Sequence, residues 1–119
     1  MRSERALPLG LALAALAVGL WVWIPLPPGI WHDDGVYLML GKSLASGGGL
    51  RYQGVPGDPS APHFPPGYPL VMAIAWWIGG DALGAARVAA LLNVAFLAGA
   101  VGTLGAFAVR VLRFPARLA

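Results

Sequence analysis

Two short clusters hold most of the side chains able to do chemistry. The first is His32-Asp33-Asp34-Gly35-Val36-Tyr37. Adjacent carboxylates can act as a general base, as metal ligands, or as the cap of a following helix, because aspartate accepts hydrogen bonds from the free N–H groups of a first turn. A cap accounts for one aspartate and leaves the other. The second cluster is His63-Phe64-Pro65-Pro66-Gly67-Tyr68-Pro69, whose prolines set a kinked start to the next helix. Its plain reading is helix punctuation beside a surface histidine. Its chemical reading is a rigid mount holding His63 and Tyr68 near the acidic pair. His32, Asp33, Asp34 and His63 are residue types that a divalent metal accepts, but their spacing adds nothing in favour of one. No phosphate loop, H-E-x-x-H or G-x-S-x-G motif is present, and no cofactor is expected.

The elements that must position these clusters follow from composition. Of 119 residues, 58% are hydrophobic and 11% charged, where a soluble domain carries about 25% charge. This excludes a disordered chain and argues against an ordinary soluble domain, which needs polar surface to cover its core. Lipid is the alternative solvent. Cysteine is absent, so disulfides, thiolate metal sites and a cysteine nucleophile are excluded. The net charge of +3 comes from eight cations scattered among long apolar runs rather than one patch, so nucleic acid is not an expected partner.

The first apolar run, Ala6 to Ile24, follows Arg2 and Arg5 and closes on Trp21 and Trp23. Its 19 residues reach about 28 Å as a helix, enough for a bilayer core. A cleaved signal peptide is the rival reading, but the apolar run continues past the A-x-A-like spots to its tryptophans. Prolines 25, 27 and 28 end the run, and a polar stretch follows to residue 66. Within it, Tyr37, Leu40, Gly41 and Leu44 share one face, predicting a short helix over about 35–46 that ends at Gly47-Gly48-Gly49. Residues 51–62 have the composition of a loop. A second apolar run ending at Gly80 predicts a helix over about 68–79, too short to cross and suited to a re-entrant or interface-lying position. A third, over 82–109, is long enough to cross. It ends in Arg110, Arg113 and Arg117.

Positive charge at both ends puts both termini in the cytoplasm. Two crossings satisfy that and three do not, so the loop 25–81 is expected outside a multi-pass protein of the cell membrane. The last helix carries Ala95, Ala98, Gly99, Gly102 and Ala106, with Ala85, Ala86 and Ala89 earlier, which suits close contact with other transmembrane helices. Lys42, Arg51 and Arg87 are cations able to take a lipid phosphate, although a solvated or snorkelling charge is commoner.

Taken together, Asp33-Asp34-Gly35-Val36-Tyr37, the short helix ending in glycines, Phe64-Pro65-Pro66-Gly67-Tyr68-Pro69-Leu70 and Ala86-Arg87-Val88 resemble the start of membrane glycosyltransferases of the C-type fold. The nearest look-alikes are the protein O-mannosyltransferase family (family 39) and the transferases that place aminoarabinose on lipid A. The resemblance runs over roughly residues 6–117. It implies an all-α membrane protein, with a sugar carried on polyprenyl phosphate as donor and a glycan, lipid or protein as acceptor at the outer face. It also implies that Asp33 is the general base and that Asp34 has an orienting or ligand role; Tyr37, His63, Tyr68 and Arg87 are the candidates for binding substrate. His63-Phe64 stands where lipid A transferases commonly carry Glu-Lys, which puts the aminoarabinose substrate in doubt. The family has many more membrane helices, so residues 1–119 are expected to be one N-terminal segment of a larger enzyme, inactive alone. The competing expectation is a small two-helix membrane protein that binds or assembles with a partner without catalysis.

Overall fold

A computed structural model describes residues 2–23 and 32–113, leaving aside the side chains of residues 2–5 and of His32. The described residues are helical: α1 (Arg2–Trp21), α2 (His32–Ala45), α3 (Gly67–Gly79) and α4 (Ala82–Arg110). Among them there is no strand, only an isolated antiparallel bridge between Arg51 and Ser60. The chain divides into two compact units, one from Met1–Trp23 with Leu91–Ala119 and the other from Ile24–Ala90.

In the second unit α2 docks on α3. The contact is close because Gly41 carries no side chain: a Cβ there would collide with the Cβ and backbone of Met72. Leu38, Met72, Ala75, Ala85 and Ala89 form the core, with Tyr37, Trp76 and Val88 packed against it. Two indoles tie the helices together. Trp76 Nε1–H donates to the Leu38 carbonyl at 2.8 Å, and Trp77 Nε1–H donates to the Ala45 carbonyl at 3.1 Å. Ala45 ends α2, where carbonyls lack partners within the helix. The end itself is a Schellman turn: Gly47 lies at φ +81°, its N–H bonds Leu44 O at 3.0 Å, and Gly48 N–H bonds Ser43 O at 2.7 Å.

α3 buries Pro69, Met72, Ala73 and Ala75. Pro69 fits because it sits in the first turn, where an N–H would have no helical partner. Gly80, at φ +76°, ends α3 with its N–H on Trp76 O at 3.0 Å. Asp81 then caps α4, its Oδ1 accepting from Gly84 N–H at 2.7 Å. The corner is tight: the Gly79 and Gly84 backbones touch, leaving no room for a Cβ on either.

In the first unit α1 runs antiparallel to the later turns of α4. A Cβ at Gly19 would lie 2.8 Å from Val94, one at Gly102 3.1 Å from Ala12, and one at Gly105 3.3 Å from Pro8 Cα. Gly102 and Gly105 of α4 thus meet α1, as small residues do where helices pack in lipid.

Several expectations shift. α4 matches the expected third run and is long and apolar enough to cross a membrane. Helix α1 ends at Trp21, short of Ile24, and its apolar part, Ala6–Trp21, reaches only about 24 Å. Helix α2 begins at His32, so Asp33 and Asp34 lie inside its first turn rather than at its cap. The expected stop at prolines 25–28, the end of the first run at Ile24 and the terminal Arg117 lie outside the described residues. Gly41→Leu should destabilise the chain by about 1–3 kcal/mol through overpacking. Denaturant unfolding in detergent micelles, followed by tryptophan fluorescence, reads this directly, and an unchanged midpoint would contradict the close contact.

Candidate functional site

Asp33 and Asp34 occupy the first turn of α2, and Tyr37 follows one turn later. Residues three and four apart share a helix face, so the acidic turn stands beside Tyr37. The two carboxylates differ in their surroundings. Asp33 is exposed, whereas Asp34 is half-buried and its Oδ1 accepts from Gly35 N–H at 2.6 Å. That bond satisfies one of the donors a first turn leaves unpaired.

Tyr37 joins the two sequence clusters. Its ring meets Tyr68 edge-on at 5.1 Å between centroids and Phe64 edge-on at 5.5 Å. Such T-shaped pairs contribute about 0.5–1.5 kcal/mol each beyond their burial. The aromatic group continues outward through Phe64 to His63, with centroids 4.7 Å apart, and to Tyr52, edge-on to Phe64 at 6.2 Å. Tyr52 Oη and His63 Nε2 are hydrogen-bonded at 2.9 Å.

The mount for His63 is a loop wired by its own backbone. Tyr52 N–H bonds Pro59 O at 3.0 Å and Ala61 N–H bonds Leu50 O at 2.9 Å. Between them, Asp58 Oδ1 accepts from Gly54 N–H at 2.9 Å, while the Asp58 carbonyl accepts from Arg51 Nη1–H at 3.1 Å. Gly54 at φ +95° and Gly57 at φ +82° supply turns that other residues disfavour. The stretch expected as a loop is therefore a loop, but an ordered one.

Of the candidate residues, Tyr37 meets Tyr68 directly and His63 by way of Phe64, and Tyr37 alone of the three shares a helix with Asp33 and Asp34. Arg87 is exposed on the second turn of α4 and takes no part in the aromatic group. Arg51 is engaged in the loop. Lys42 is exposed, with its ammonium 5.6 Å from the centroid of the Trp76 ring. Two contributors escape a reading of the sequence. Tyr52 stands 11 positions from His63, and no local spacing connects the two. Trp76, whose indole holds α2, reads in sequence only as an apolar aromatic residue. Among the described residues, no group of three or more histidine and carboxylate side chains is arranged to hold a metal.

No protein-family model, curated protein or solved structure matches this chain.

Tyr52→Phe keeps the ring against Phe64 and removes the bond to His63. Imidazole 15N spectra should then show the His63 Nε2 resonance shifted, with indole resonances unmoved. Spectra identical to those of the unaltered chain would contradict the Tyr52–His63 bond.

Proposed function

We propose that residues 1–119 are the N-terminal part of an integral membrane glycosyltransferase that moves a sugar from a polyprenyl-phosphate donor to an acceptor at the outer membrane face. The observation that carries this reading is the packing of Tyr37 against Phe64 and Tyr68. Two motifs that resemble the C-type transferases, 27 positions apart in sequence when counted from Tyr37 to Phe64, lie in contact beside an acidic helix turn.

In this reading Asp33, exposed to solvent, takes the proton of the acceptor hydroxyl. The oxygen attacks the anomeric carbon, the bond from that carbon to the phosphate oxygen breaks, and polyprenyl phosphate leaves with inverted configuration at carbon. Asp34, already bonded to the backbone of its own turn, orients rather than abstracts. Tyr37, His63 and Tyr68 form an aromatic floor suited to the apolar face of a sugar ring. Arg87 serves the phosphate. Cations near a departing phosphate lower the barrier by stabilising charge that develops in the transition state.

The topology belongs to the same proposal. α4 crosses the membrane, and α1 crosses beside it in the opposite direction, the apolar residues after Trp21 and a locally thinned bilayer making up its length. Both termini are then cytoplasmic and the loop 25–81 lies outside. The antiparallel contacts of Gly102 and Gly105 with α1 support this. Leu91, Phe96, Leu97, Leu104 and Phe107 remain exposed along α4, which suits contact with lipid and with further transmembrane helices.

The test is sugar transfer in membranes from cells expressing the complete gene. Asp33→Asn should lower the initial rate about 10²–10⁴-fold, the usual contribution of a general base. Undiminished transfer would sink the assignment. Absence of any transfer by the unaltered protein, with the donor supplied, would favour a two-helix assembly partner.

A further inference from the structure

Helices α1 and α4 touch closely along one edge and part beside it. Gly102 and Gly105 lie against Ala12, Leu11 and Pro8. Gly99, one turn earlier on α4, has open space where a Cβ would stand. A groove of about 530 Å³ opens there, with Leu9, Leu13 and Leu16 of α1 as one wall and Ala98, Thr103 and Ala106 of α4 as the other. The groove is apolar along its length, and Arg110 stands at its end. We propose that it holds one acyl chain of an anionic phospholipid, whose phosphate pairs with Arg110.

Three observations identify that occupant. First, the length fits. Ala98 and Arg110 are 12 positions apart on α4, or about 18 Å, and one leaflet of hydrocarbon is about 15 Å deep. Second, the charge fits. Because Pro8 meets Gly105, the start of α1 and the end of α4 lie at one level, where Arg2, Arg5, Arg110 and Arg113 face Glu4 as the one carboxylate in sequence. α4 is long and apolar enough to cross a membrane, which puts this cationic end at the headgroups. Basic pockets between transmembrane helices take anionic lipids. Third, the groove offers little to a neighbouring helix. The glycines that allow close approach are already used on α1, and exposed Leu9 and Leu13 line the rim. Thr103 directs its hydroxyl to the Gly99 carbonyl at 2.8 Å, so its proton is not free for a bond across helices.

An acyl chain gains little by leaving lipid for this groove, since both are apolar. The groove therefore sets where the chain lies, and the phosphate on Arg110 sets which lipid is kept. The expected signature is discrimination by headgroup. The inference uses none of the residues assigned to sugar transfer and rests only on α4 crossing the membrane.

The test places the 119-residue chain in phosphatidylethanolamine vesicles with a small share of phosphatidylglycerol carrying a diazirine midway along one acyl chain. Light fixes that chain to whatever it touches, and mass spectrometry maps the adducts. Leu13 and Leu16 should carry several-fold more adduct than Leu97 and Leu104, which are exposed elsewhere on α4. The same diazirine on phosphatidylcholine should show no such preference. Arg110→Gln should cut the groove's adducts several-fold. So should Gly99→Leu, which fills a floor where nothing else lies within 4 Å. Equal labelling of the groove and of Leu97 and Leu104 would overturn the proposal, as would equal labelling by the two headgroups. An unlabelled groove would overturn it too, because protein would then cover it. The headgroup comparison needs no variant, so the answer does not hang on a substitution that disturbs folding.

Discussion

Gly41 lets the backbone of α2 rest against Met72 of α3, and the placement of the candidate site depends on that approach. Met72 and Ala75 of α3 meet Leu38 of α2 and Ala85 and Ala89 of α4 in one core. With the helices this close, the indole N–H groups of Trp76 and Trp77 reach carbonyls of α2. Neither bond is large alone, about 1 kcal/mol net for a neutral pair, but each is directional. Together they fix how far α2 sits along α3. That register decides where Tyr37 falls, and Tyr37 falls between Phe64 and Tyr68.

The register passes outward through rings and inward through glycines. Phe64 links Tyr37 to His63 and Tyr52, so the ordered loop after α2 is held to the helix pair by aromatic edges. On the other side, Gly79 against Gly84 and the cap at Asp81 lock α3 to the first turns of α4. A packed core of small residues transmits position because it deforms little. The acidic turn is thus carried on a mount braced at both ends, which suits the positioning that the proposed transfer would need.

Much of this architecture was legible in the sequence. Apolar run lengths set the ends of α3 and α4 within a residue or two, since glycine and aspartate mark those ends by local chemistry. The stop of α2 at Gly47 was equally local. The start of α2 was not: Asp33 or Asp34 read as a cap to a helix from about residue 35, yet the helix begins at His32, and the residue before it lies outside the described part. The sequence left open whether the proline-rich start merely punctuates a helix beside a surface histidine or holds His63 and Tyr68 near the acidic pair, and it gave no sign of the hydrogen bond from Tyr52, because a contact across a folded loop leaves no periodic trace. The same limit hid the difference between Trp76 and Trp77. Adjacent on a helix, they point about 100° apart, and only the position of α2 decides which one is covered.

The central claim is that the acidic helix turn and the proline-rich helix start form one site through Tyr37. A double-mutant cycle on the rate of sugar transfer tests it most directly, using Tyr37→Leu, Tyr68→Leu and the pair in the complete protein. Residues in contact couple by about 0.5–3 kcal/mol, so the double variant should lose several-fold less than the product of the single losses. Strictly multiplicative losses, or single variants that transfer sugar at the unaltered rate, would contradict the account.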